Sequence, residues 1–238
     1  MNLDPQVVKD FTLHAEKDFP SESCGVVQVF KGKQKYIPMT NLAEDPGEHF
    51  VFDPKENADI EDEGGIVAIV HSHPNEAPIP SDGDLVSIEK SGLPWVIVNW
   101  PTGKYQIHKP TGYELPLIGR NFHYGVVDCF TLCQDYYDRY LKIEVKDIPR
   151  DKGWWDRGEN IYKDFYEKLG FVEVDKETFQ LHDWLILKIL SPVPNHSAIY
   201  SGGGRMMHHM TERLSCEEIY DGFYRKSTVV VLRHKSLT

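Results

Sequence analysis

His71 and His73 lie two residues apart at the end of an apolar run, Ile66 to Val70. In a strand such a pair projects from one face, so two imidazoles can be offered to one ion. Residues 74–80 carry Pro74, Pro78 and Pro80, which exclude helix, and Ser81-Asp82-Gly83-Asp84 then opens the next helical stretch. A turn of that stiffness can return Asp84 as an oxygen ligand. Two histidines and one carboxylate leave a fourth tetrahedral position open, which is the ligand set of a catalytic zinc rather than a closed structural one. Water held there ionises near neutral pH, and a nearby carboxylate must accept and return its proton. Glu22, at the head of an early β-rich segment, is the candidate. Taken alone, Ser81 with Asp84 three residues on is also an ordinary helix start.

A second set centres on Cys129, which follows Gly125-Val126-Val127-Asp128 and precedes a helical pattern. A thiol at a helix N-terminus feels the positive end of the backbone dipole, which favours the thiolate and makes it a candidate nucleophile. An imidazole partner is available in PNHSAIYSGGGRMMHHM. With a three-residue loop, Tyr200 pairs with Gly204 and His196 stands opposite His208; a four-residue loop pairs His196 with His209 instead. Local geometry does not choose between them. Cys133, one turn beyond Cys129, reads as a small buried hydrophobe.

These side chains need scaffolds. Residues 2–18 predict a helix with Val7, Val8, Phe11, Leu13 and His14 on one face, ended by Pro20. Cys24 to Phe30 and Gln34 to Met39 predict a hairpin around Lys31-Gly32-Lys33. Asp84 to Lys90 predicts a helix and Trp95 to Trp100 a strand. The segment 101–119, rich in Pro and Gly and without periodicity, is the expected domain boundary, placed near residue 112. Beyond it, Phe130 to Leu141 and Ile161 to Leu169 predict helices, and Trp184 to Ile189, His196 to Tyr200, Arg205 to His209 and Ser227 to Leu232 predict strands.

At 238 residues, two domains are expected, spanning 1–112 and 113–238. Hydrophobic residues at 40% and charged residues at 26% are the balance of a folded globular chain. The net charge of -11, with no Lys/Arg block, argues against nucleic acid as a partner. The opening MNLDPQVVKD lacks signal-peptide character, and no apolar run is long enough to span a membrane, so synthesis in a cytosol is expected. Four cysteines without framework spacing make a structural disulfide unexpected.

The upstream Glu, the HxH and the SxxD seven residues later resemble the JAMM, or MPN-plus, metallopeptidase family over about residues 1–105, including the PSESCG segment around Glu22. That resemblance implies Glu22 as general acid/base, one Zn2+ per chain on His71, His73 and Asp84, and Ser81 assisting the oxyanion of an amide or isopeptide substrate. YGVVDCFTL, DWLILK, NHSAIYSGGG and RMMHH resemble the NlpC-type cysteine peptidases over about residues 115–235. This likeness selects His208: it implies Cys129 as nucleophile, His196 as base, His208 as orienter, Tyr124 lining the substrate groove, and His209 as an outward-facing neighbour. Phe130-Thr131 departs from the small residues usual after the cysteine. The fold class implied is α+β in two domains, a JAMM-type α/β metallopeptidase fold and then a papain-like NlpC-type α+β fold.

The two halves in this order resemble the tail tip assembly family K of lambda-like phages. The implied partners are the peptidoglycan stem peptide and phage tail tip proteins, with a location in the host cytoplasm during assembly or in the virion tail tip. The alternatives are a mainly structural assembly factor and a cytosolic JAMM isopeptidase acting on a ubiquitin-like tag.

Overall fold

In a computed structural model of the chain, residues 1–56, 60, 65–148 and 150–238 are described. They divide into two compact units, Met1–Tyr113 and Glu114–Thr238.

The first unit begins with helix α1 (Pro5–Asp18), started by the Asp4 carboxylate accepting the Gln6 N–H and by Pro5 in the first turn. Its buried face is Val7, Phe11 and Ala15, spaced four apart. Leu13, expected on that face, is exposed, because one strip of a helix meets the sheet and residue 13 is turned away from it. Full burial of Phe11 contributes about 2–3 kcal/mol.

The unit's sheet contains β1 (Cys24–Phe30), β2 (Lys33–Met39), β3 (Ile66–Pro74), β4 (Trp95–Trp100) and β5 (Tyr105–His108), in the order β2-β1-β3-β4-β5. β1 and β2 close around Lys31-Gly32, both at positive φ, as a two-residue hairpin turn demands. β3 and β4 are parallel because helix α2 (Asp82–Ser91) carries the chain across between them. Ala68 and Val70 face the α1 layer with Val27, Val96 and Val98. Ile69 packs in the opposite layer with Cys24, Val26 and Met39. By the two-residue period, His71 and His73 therefore emerge on the face away from α1. β5 lies inside the segment expected to be featureless, stabilised by pairing with β4 rather than by a pattern of its own.

The second unit places helix α3 (Cys129–Tyr136) against a fully antiparallel sheet. Its strands are β6 (Phe171–Val174), β7 (Trp184–Leu187), β8 (His196–Gly202), β9 (Arg205–His208), β10 (Cys216–Ile219) and β11 (Thr228–His234), in the order β10-β9-β8-β7-β11-β6. Phe130, Leu132 and Cys133 pack with Trp184, Ile186 and Ile199 on one sheet face, and Leu185, Ala198 and Met206 build a second cluster on the other. The helix expected to run to Leu141 is α-helical only to Tyr136, then widens to a π-turn over Tyr137–Leu141. The helix expected over 161–169 is the short α4 (Ile161–Phe165), followed by turns. The short α5 (Gly222–Ser227) leads into β11. Short β6 and β10 carried no sequence signal of their own and exist as edge partners.

Candidate active sites

β1 and β3 pair with Cys24 opposite His71, which brings the chain at Glu22 alongside the end of β3. His71 and His73 are buried and point their Nε2 atoms at each other, 3.0 Å apart. Asp84, from the first turn of α2, sets Oδ1 3.3 Å from His71 Nε2 and Oδ2 3.4 Å from His73 Nε2. Glu22 Oε1 lies 4.0 Å from His73 Nε2.

The donor set fits the zinc ion expected here. Ligands at zinc bonding distances in a tetrahedron stand roughly 3.3 Å apart, close to the 3.0, 3.3 and 3.4 Å observed. His73 Nδ1 is 3.1 Å from the Ala77 carbonyl oxygen, which only accepts, so Nδ1 carries the proton and Nε2 offers its lone pair to the cluster. Phe50 and Trp95 cover His71 and exclude water from that side.

Burial lowers the His71 pKa against the pull of Asp84; at His73 burial is outweighed by Asp84 and the Ala77 carbonyl, and the net shift is upward. Asp84 is buried too, yet both imidazoles and the Ser81 N–H hold its carboxyl well below the usual range. Glu22 is pushed up to about 9 by burial and by Asp84, Glu48 and Glu76. A buried acid beside so much negative charge marks a place that favours a cation.

Ser81 is the N-cap of α2: its Oγ accepts the Asp84 N–H at 3.1 Å and donates to Asp84 Oδ2 at 2.8 Å. One carboxylate thus completes the helix start and also faces both imidazoles. The single Ser81 hydroxyl proton is engaged on Asp84, so reaching a reacting oxygen requires a change of rotamer.

In the second unit, Asp128 caps α3 by accepting the Phe130 and Thr131 N–H groups, while Thr131 Oγ1 accepts the Asp128 N–H. This explains Phe130-Thr131: one fills the core and the other completes the cap. The other Asp128 oxygen takes the Gly125 N–H and the buried Arg150 guanidinium. Cys129 is thereby fixed as the first helical residue, lining a cleft with His196, Tyr124, Trp155 and Arg150. Tyr124 is held by its hydroxyl donating to the Asp151 carbonyl.

His196 and His208 do meet, Nε2 to Nδ1 at 3.1 Å, but in neither expected register. His208 stands opposite Ala198, and the β8/β9 pairing shifts between Tyr200 and Gly202. Gly202, Gly203 and Gly204 all adopt positive φ, which permits a bulge and a tight turn where a wider loop was expected. The two histidines are consequently diagonal neighbours on one face. With its Nε2 engaged by His208, His196 has Nδ1 left for the thiol. His209, expected to face outward, is fully buried: its ring meets Phe122 edge-on and lines the same cleft, with the backbone of Arg120 and Arg213 beside it.

Burial and the Asp128 carboxylate push the Cys129 thiol pKa up, against hydrogen bonds from Ser197 and Tyr162. His196 is lowered to about 3 by burial and by His208 and His209. Desolvation and the capping carboxylate thus oppose the thiolate that the helix position favours, and burial with two neighbouring imidazoles disfavours the imidazolium. Four side chains escaped sequence reasoning: Tyr162, whose hydroxyl is 3.9 Å from Cys129 Sγ; Ser197, buried beside it; Arg150; and Glu218, 3.4 Å from His208 Nε2. Only Ser197 had a signal, its place next to His196. All four cysteines are free thiols. No helix among the described residues is long and apolar enough to cross a membrane.

Residues 4–109 match the family of prokaryotic homologs of the JAB domain, and residues 119–233 match the NlpC/P60 family. The tail tip assembly protein K of Escherichia phage N15 is 36% identical over 226 residues, covering 94% of this chain and 92% of its own. The protein of the same name from Escherichia phage lambda is 38% identical over 183 residues, covering 77% of this chain and 89% of its own. A desampylase from Haloferax volcanii is 32% identical over 108 residues, 42% of this chain and 77% of its own. With an N-terminal JAB/MPN fold and a C-terminal NlpC/P60 fold, both from peptidase families, the chain belongs to the tail tip assembly protein K family.

Proposed function

We propose that the chain is a two-site hydrolase that acts with phage tail tip proteins, its cysteine site cutting the stem peptide of peptidoglycan. The observation that carries this reading is His196 lining one cleft with Cys129 while its Nε2 lies 3.1 Å from Nδ1 of the buried His208. As Sγ of Cys129 attacks the scissile carbonyl carbon, its proton passes to His196 Nδ1. His208 Nδ1 accepts the His196 Nε2–H, which orients the ring and stabilises the imidazolium. The same proton then goes to the leaving amine, and water cleaves the thioester with His196 as base. Tyr124 and Trp155 form a wall of the cleft against which a peptide can lie.

The metal site would hold zinc through His71, His73 and Asp84, and the ion's contribution when bound is to acidify water and polarise an amide carbonyl. Glu22 would accept the proton of the attacking water and return it to the leaving amine, the bound cation offsetting the burial and acidic neighbours that otherwise raise its pKa. Ser81 holds Asp84 in place. A second reading for this site, cleavage of a ubiquitin-like tag, draws support from the likeness to a desampylase. The protein is expected in the host cytoplasm during assembly and at the virion tail tip. The test is mass analysis of fragments released from purified peptidoglycan by the full chain and by Cys129→Ala. Equal release by both would defeat the cysteine assignment.

A further inference from the structure

Behind the histidine pair, His208, Cys216 and Glu218 form a second cluster of metal-ligating side chains. Cys216 pairs with His208 across β9 and β10, and Glu218 lies two residues further along β10, so all three share one face of the sheet. Their ligand atoms lie within 4.8 Å of one another. His208 is fully buried, and the polar group facing its Nε2 is the Glu218 carboxylate, with Oε2 3.4 Å away in a loose contact. Glu218 is itself steadied by Arg213 and Tyr224, and the Tyr224 ring meets His208 edge-on.

The geometry points to a divalent-cation site of the zinc class formed by His208 Nε2, Cys216 Sγ and Glu218, whose occupancy switches the cysteine site off. Imidazole, thiolate and carboxylate are the three zinc ligand types, and a fourth position stays open to water. Tetrahedral edges are roughly 3.3–3.7 Å, so the side chains close in on the ion by small rotations.

The inhibitory coupling rests on the catalytic reading of Cys129, His196 and His208. Only one proton fits between His196 Nε2 and His208 Nδ1. In the working arrangement His208 carries its proton on Nε2 and accepts from His196 Nε2–H, which leaves His196 Nδ1 bare for the thiol. A cation on His208 Nε2 needs that lone pair, so the His208 proton moves to Nδ1 and donates to His196 Nε2. The His196 proton must then sit on Nδ1, the atom that has to accept from Cys129. Each imidazole keeps one proton, and the Cys216 thiol proton is released to solvent.

The test uses the metal-free full chain titrated with Co2+, whose thiolate complexes show an intense sulfur-to-metal absorption band. The band is expected in the wild type, in His71→Ala and in Cys129→Ala, and lost in Cys216→Ser. A band that does not depend on Cys216 overturns the site. In parallel, Zn2+ is titrated against stem-peptide cleavage. Cys216→Ser should keep the metal-free activity and need about 10–100-fold more Zn2+ for half inhibition. Equal inhibition of wild type and Cys216→Ser overturns the coupling. If the metal-free wild type cleaves nothing, the catalytic reading and the inhibitory role fall together, while the cation site is still decided by the cobalt band.

Discussion

Both units bring two histidines into contact, and the two contacts have opposite chemical meaning. On β3 the rings come from one strand, two residues apart, and aim the same atom, Nε2, at a common point lined by Asp84 and Glu22. On β8 and β9 they come from neighbouring strands and join head to tail, Nε2 to Nδ1. Convergent lone pairs beside carboxylates suit a cation; a serial arrangement suits a proton. The surroundings follow suit. Burial and acidic neighbours raise Glu22 and favour positive charge in the first site, whereas burial and the adjacent His208 and His209 lower His196 in the second.

The comparison breaks first at Cys129→Ala, which should lower stem-peptide release on the order of a thousandfold or more, while His71→Ala stays within about twofold per folded molecule. Loss in His71→Ala with retention in Cys129→Ala would transfer wall cleavage to the metal site. His208→Ala should cost about a hundredfold, since the base survives but loses its orienter. Activity in that variant as low as in Cys129→Ala would make His208 more than an orienter. Metal content sharpens the other half: zinc retained by His71→Ala should fall by one equivalent per chain, and an unchanged content would remove the ligand assignment.

The protonation states allow a finer test. Because the Cys129 pKa is raised, its thiolate fraction at neutral pH is small and grows about tenfold per pH unit. Alkylation of Cys129 by iodoacetamide, followed by peptide mass analysis, should therefore climb steadily from pH 7 to 9. A plateau across that range would indicate a resting thiolate–imidazolium pair. The smallest effect concerns stability. His196 and His209 have folded pKa values of about 3 and about 4, below the 6.5 of a free imidazole. The unfolded chain thus takes up protons first, and stability is lost as pH falls from about 6.5 toward 4. His209→Leu should make the second unit's urea midpoint less sensitive to acid between pH 7 and 4.5; an unaltered slope would mean that His209 is solvated in the native state.

The parts of these sites legible beforehand depend on local rules. HxH at a strand end reads directly because the strand period is two, and SxxD reads directly because a helix start needs its N–H groups capped; in the structure those same features place His71, His73 and Asp84 together. Asp128-Cys129 at a helix start was visible for the same reason. The register of His196 and His208 was not, since it depends on how three consecutive glycines share a bulge and a turn, and glycine tolerates several answers. Cys129 misled because the dipole is a local feature, whereas the desolvation that opposes it arises from burial by the packed fold.

Sequence alone thus determined which residues could do chemistry, on which kind of element, and in which half of the chain, because residue type, backbone period and capping act within a few positions. Tertiary structure alone decided that Asp84 serves as both cap and convergent oxygen, that His209 is buried, that burial disfavours charge on both Cys129 and His196, and that Cys216 and Glu218 stand behind His208. Each of these depends on burial and on approach between segments distant in sequence, and those are properties of the packed fold.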